Sequence, residues 1–149
     1  MLFTRDRVPF ATGRAEYLDA PPKSPWRGPG IVIQIQFQAL DFPVSAVIDT
    51  AAPWCILQPN VADRIIDDLE MVEDAVVLST RLGLVKGRLY RGWITLPAEA
   101  GEDLDIQATI FLSPEWRGEN FIGYKGMLNR MRFAVDPATN LFYFGEVGR

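Results

Sequence analysis

The sequence predicts a mostly β, barrel-like domain with one or two short helices, and three observations lead there. From Gly30 onward apolar residues recur in steps of two, the spacing that turns one face of a strand toward a core. The apolar runs are short and separated by turn-forming residues, as in a chain of many short strands. Only the stretches 59–69 and 124–131 read as helical. At 149 residues the chain has the size of one domain and is long enough to enclose a sizeable core.

Taken in order, residues 1–29 hold five of the eleven prolines, Pro21, Pro22 and Pro29 among them, and show no sustained periodicity. That composition predicts an extended arm or wrapping segment rather than a second domain, and sets the domain proper at 30–149. Ile31, Ile33, Ile35 and Phe37 alternate with Val32, Gln34, Gln36 and Gln38 as a strand. Asp41-Phe42-Pro43 makes a turn, and Val44 to Ile48 is the next strand, so a hairpin delivers Asp49 to a strand end. Trp54 to Leu57 is a short apolar strand. Pro59 suits the first turn of a helix whose apolar side is Val61, Ile65, Ile66 and Leu69.

Residues 71–81 and 84–96 form two β arms about Gly83, with Gly87 and Gly92 as candidate bulges or bends. A turn at 99–103 precedes strand 104–112, and Pro114 to Glu119 is loop. Phe121-Ile122-Gly123 is a short strand running into a brief helix from Tyr124 to Met131. Arg132 to Val135 and Leu141 to Phe144 flank a turn formed by Asp136-Pro137-Ala138-Thr139-Asn140, closing a final hairpin. The chain has no internal repeat.

Composition narrows the chemistry. The chain contains no histidine and a single cysteine, Cys55. Ser-His and Cys-His nucleophile pairs, histidine zinc sites and imidazole bases are thereby excluded, as are an intrachain disulfide framework and paired-cysteine metal sites. Cys55 is expected as a small buried side chain in a strand. No metal or other cofactor is expected.

A net charge of −4 gives no overall pull toward nucleic acid or anionic membranes. Arg81, Lys86, Arg88 and Arg91 are spread along a strand-like segment, the pattern of a solvated face. No run approaches the roughly 20 apolar residues of a membrane span. The first ten residues lack a basic region followed by an apolar core, so the expected compartment is the cytoplasm.

One carboxylate is conspicuous. Ala46-Val47-Ile48-Asp49-Thr50-Ala51-Ala52 places Asp49 at the end of an apolar run and follows it with small residues. An ionised carboxylate there is costly unless paired or hydrogen-bonded. Asp41 and Asp136 instead sit in turns, where an Asp bonds its own backbone.

Apolar-apolar-Asp-Thr-small-small, then a long hairpin, then Phe121-Ile122-Gly123 running into a short helix, resembles the retropepsin-like (retroviral-type) aspartic proteases. The resemblance covers roughly residues 30–145, and the stretch from Asn120 to Pro137 followed by Phe142-Tyr143-Phe144-Gly145 is similar to the C-terminal half of bacterial members. It implies a closed acid-protease β-barrel and a homodimeric endopeptidase acting on an extended peptide or protein substrate. Asp49 would be the catalytic carboxylate, in a loop with Thr50, Ala51 and Ala52. Thr50 would hydrogen-bond across to the partner chain's loop. Ile122 and Gly123 would support that loop, and the arms around Leu82, Gly83 and Leu84 would be the flap.

Two carboxylates about 3 Å apart cannot both ionise and share one proton, leaving one base and one acid. A chain with one such motif would therefore need a two-fold partner. The pattern departs at Ala51, where the family has Gly, and the Leu82-Gly83-Leu84 tip is poor in glycine. Both departures leave open a catalytically inactive peptide- or protein-binding module on the same fold. Trp54 is either a wall of a substrate pocket or a core residue, and Tyr90, Trp93, Trp116 and Tyr124 share that ambiguity. Phe142, Tyr143 and Phe144 either pair across a dimer interface or cover the core.

Overall fold

The structure, a computed structural model, describes residues 2–21, 30–81 and 83–148. Two sheets make up the domain. The larger has seven strands: β2 (Val32–Ile35), β3 (Val44–Ile48), β4 (Cys55–Ile56), β5 (Glu70–Thr80), β6 (Gly83–Leu96), β8 (Leu104–Leu112) and β9 (Phe121–Ile122), ordered β2-β3-β9-β4-β8-β6-β5. The smaller contains β1 (Gly13–Glu16), β7 (Ala100–Gly101), β10 (Met131–Asp136) and β11 (Leu141–Glu146), ordered β10-β11-β1-β7. The mostly β expectation holds. Barrel closure goes less far, because each sheet is open in its strand order and a single antiparallel bridge, Gln36 to Thr95, brings the end of β2 back to β6.

A main core fills the space between the sheets, with Ile35, Leu57, Ile94, Ile110, Ile122 and Phe142 among its fully buried members. A second cluster of Ile56, Leu78, Val85, Leu89, Phe111 and Trp116 ties the β5–β6 hairpin to β4 and β8. The alternation along β2 puts Ile33, Ile35 and Phe37 inside. Val32, on the other face, is buried as well because the chain at Leu18 pairs with it.

Several local expectations change. The arm contributes a strand: β1 lies between β11 and β7, so a stretch without periodicity is held by its neighbours' hydrogen bonds. Pro22 and Pro29 lie outside the described residues. The first helix, α1 (Pro59–Ile65), gives way to a 3-10 turn at Ile66–Asp68, which leaves Ile66 exposed while Ala62 takes an inward place. The second helix shrinks to a 3-10 turn, Leu128–Arg130, because Gly126 adopts φ +82° and its N–H is held by Asn129 Oδ1 at 2.9 Å. The 99–103 turn includes β7.

The irregularities in the long hairpin lie between Met71 and Val76 on β5 and not at Gly87 or Gly92. Those two glycines instead admit Phe111 and Leu69 against the backbone. β11 is flanked on both sides by β10 and β1, so its backbone has no free edge to pair across a dimer, and Phe142 and Phe144 are core residues. Among the described residues no helix is long and apolar enough to cross a membrane.

Candidate active site

Asp49 follows the last residue of β3, where β9 runs parallel to it with Val47 opposite Phe121 and Ile48 opposite Ile122. That pairing continues one step further, for the Asp49 N–H donates to the Ile122 carbonyl at 2.9 Å. The chain then turns sharply. Ala52 N–H donates to the Asp49 carbonyl at 3.1 Å, and Ala51 N–H donates to Asp49 Oδ1 at 2.9 Å. The carboxylate is half-buried, with one oxygen fixed by its own loop.

The other side of the loop is stitched to the segment after β9. Tyr124 N–H donates to the Ala52 carbonyl and Lys125 N–H to the Pro53 carbonyl, both at 2.9 Å. Gly123 lies where the two segments touch. A Cβ on it would collide with the Trp54 carbonyl and stand 2.9 Å from the Ala52 carbonyl oxygen, so only glycine allows the approach. β9 thus sits between β3 and β4, and residues 49–54 cross over its end. Asp49, Ala51, Ala52, Ile122 and Gly123 are brought together. Thr50 is exposed on the loop.

Ala51 has no positive φ, since among the described non-glycine residues only Arg7 and Asn140 do. Its methyl group therefore imposes no left-handed strain. Cys55, just beyond the loop, is fully buried, and burial pushes its thiol up to about 12 against a smaller lowering by the Gly123 backbone. Such a thiol is no nucleophile near neutrality. Among the described residues no group of three or more Cys, Asp or Glu side chains gathers as a metal site.

The described residues expected as the flap, Gly83 and Leu84, lie at the start of β6. Gly83 turns the β5–β6 hairpin with φ +102° and open space around it, and the Thr80 hydroxyl donates to its carbonyl at 2.8 Å. Leu84 is 72% exposed. Leu82 lies outside the described residues. Lower in the hairpin Leu78 faces Val85, both buried in the second cluster. Trp54 is half-buried against that cluster and stacks on Phe111, with ring centroids 6.3 Å apart. Trp116 and Tyr90 are buried, whereas Trp93 and Tyr124 are exposed. Arg81, Lys86 and Arg88 are exposed, and Arg88 pairs with Asp74 at 2.7 Å. Arg91 departs from that solvated face, with its Nε buried.

The chain is similar to a retropepsin-like aspartic protease from Rickettsia conorii whose crystal structure superposes with a TM-score of 0.54. The match covers 87% of this chain and 97% of that one at 13% identity. The fold is retropepsin-like. At that identity the likeness shows the fold alone. No family model matches the chain, and no curated protein matches it in sequence.

Within this retropepsin-like fold one residue near the loop escaped the sequence reading. Asn120 is buried, accepts the Gln58 N–H on Oδ1 at 2.7 Å and donates Nδ2–H to the Ser45 carbonyl at 3.1 Å. It therefore ties the start of α1 and strand β3 to the entry of β9. Its signal was a lone amide directly before the apolar Phe121-Ile122, visible in sequence but without a partner to name. Asp136 behaves as a turn residue, taking Ala138 N–H at 3.0 Å and the Thr139 hydroxyl at 2.9 Å.

Proposed function

We propose that this chain is an aspartic endopeptidase that works as a homodimer, with Asp49 of each copy forming one half of a carboxylate dyad. The observation carrying the reading is the Asp49 loop. A half-buried carboxylate has one oxygen held by Ala51 N–H, while its backbone is anchored on Ile122. Preorganising a carboxylate through backbone donors in this way lets a second one approach along a two-fold axis. In the pair the ionised carboxylate takes a proton from a water, which attacks the peptide carbonyl. The protonated partner donates its proton to the carbonyl oxygen. The carboxyl that took the water's proton then gives it to the leaving amine, and as the C–N bond breaks a diol proton returns to the partner carboxylate.

Thr50, exposed beside Asp49, is assigned to the cross-chain hydrogen bond, and the hairpin tip at Leu82, Gly83 and Leu84 to the cover over an extended peptide. The working domain is 30–149, a closed barrel, with 1–29 as its arm and the cytoplasm as its compartment. The absence of left-handed backbone at Ala51 supports catalysis over the alternative of an inactive peptide-binding module. The discriminating experiment is pepstatin-sensitive cleavage of a peptide library by wild type and by Asp49→Asn. Cleavage lost in the variant, with its dimer intact, supports the protease. An inert wild-type dimer that binds peptide equally well with either residue supports the module.

A further inference from the structure

The outer face of the smaller sheet carries a groove unrelated to the Asp49 loop. Ala134, Tyr143, Arg14 and Ala100 stand in register across its four strands. The next row, with Phe144 buried and Gly13 beside it, turns inward, so the first row faces out. Ala134 and Ala100 keep the two ends of this row low, and the N-terminal segment passes above one side of it. Gly145 makes that crossing possible, for a Cβ there would stand 2.7 Å from the Phe10 carbonyl oxygen and 3.1 Å from Ala11 Cα. Leu2, Pro9 and Phe10 wall the groove, which encloses about 560 Å³. That size falls within the roughly 300–1,000 Å³ of small-molecule sites.

Its chemistry is lopsided. The lining is mainly hydrocarbon, with one cation: Arg14, exposed and without an ion pair among the described residues. The carboxylate lining the groove is Asp136, each of whose oxygens accepts a hydrogen bond from its own turn, from Ala138 N–H and the Thr139 hydroxyl. We propose that this groove binds a long-chain monocarboxylate, a fatty-acid-like amphiphile, with its hydrocarbon chain between the N-terminal segment and the sheet and its carboxylate on Arg14. A free peptide end has the same charge but brings amide groups, which an apolar lining leaves without partners. A hydrocarbon chain brings none.

The test is displacement of a dansylamino-undecanoate probe by dodecanoate from the whole chain, followed by fluorescence. Wild type binds the probe saturably, one per chain. Arg14→Gln, an exposed substitution, weakens dodecanoate by about tenfold and leaves dodecanol within about twofold, the signature of one lost charge-assisted contact. Ala134→Trp or Ala100→Leu, which fill the groove from two different strands, abolishes binding of both in whichever variant melts like wild type. No saturable binding to wild type overturns the proposal. So does binding indifferent to Arg14→Gln, or an apolar peptide with a free C-terminus that displaces the probe more tightly than dodecanoate.

Discussion

Replacing Gly123 by alanine tests whether the Asp49 loop is held by close backbone contact. The new Cβ would overlap the Trp54 carbonyl and crowd the Ala52 carbonyl oxygen at 2.9 Å. Both obstacles are backbone, so no side chain can swing away. Relief requires the loop to lift from β9, which stretches Asp49 N–H to Ile122, Tyr124 N–H to Ala52 and Lys125 N–H to Pro53. At about 1 kcal/mol net for each hydrogen bond, the cost is about 3 kcal/mol, at the upper end of ordinary overpacking. For a chain of this length that lowers Tm by about 6–12 °C.

Urea unfolding followed by tryptophan fluorescence measures the cost, with Gly83→Ala as the control. That control meets no atom within 4 Å and carries only the strain of φ +102°, about 1–2 kcal/mol. On the protease reading Gly123→Ala also lowers kcat, because the carboxylate moves with the loop. A loss below about 1 kcal/mol at Gly123, no larger than at Gly83, would refute the packing argument.

Asn120→Ala strands the Gln58 N–H and the Ser45 carbonyl, and is expected to cost about 2–4 kcal/mol in the same unfolding assay. Cys55 stays unlabelled by iodoacetamide at pH 8 until the chain unfolds, since its thiol is held near 12 against an ordinary 9. Because the unfolded thiol releases its proton first, stability should fall from about pH 9 to pH 12 by about 1.4 kcal/mol per pH unit. That slope is expected to vanish in Cys55→Ala. Leu84→Lys, at a position 72% exposed, should change stability by less than about 0.5 kcal/mol. If the hairpin tip covers substrate, the same variant raises KM.

Strands from Val44 to Leu112, β7 apart, were legible because alternation and turn residues act locally. β3 begins and ends where the apolar run does, and the hairpin turns at Gly83. β1 was not, because Gly13–Glu16 has no apolar rhythm and owes its form to β11 and β7 on either side. The helix expected over 124–131 failed at Gly126, whose left-handed turn answers to Asn129 nearby and to Thr109 across the fold. In the site, Asp49 and Gly123 stood out by residue type. Their meeting depends on β9 lying between β3 and β4, a long-range arrangement that no local pattern records.

The central claim is that Asp49 is half of a dyad, and the separation of the two Asp49 carboxylates in a crystal structure of the dimer tests it most directly. Oxygen atoms about 3 Å apart across a two-fold axis, within reach of one shared proton, are the expected result. A chain that stays monomeric at crystallisation concentration, or a dimer that keeps the two carboxylates beyond hydrogen-bond reach of each other, would contradict it.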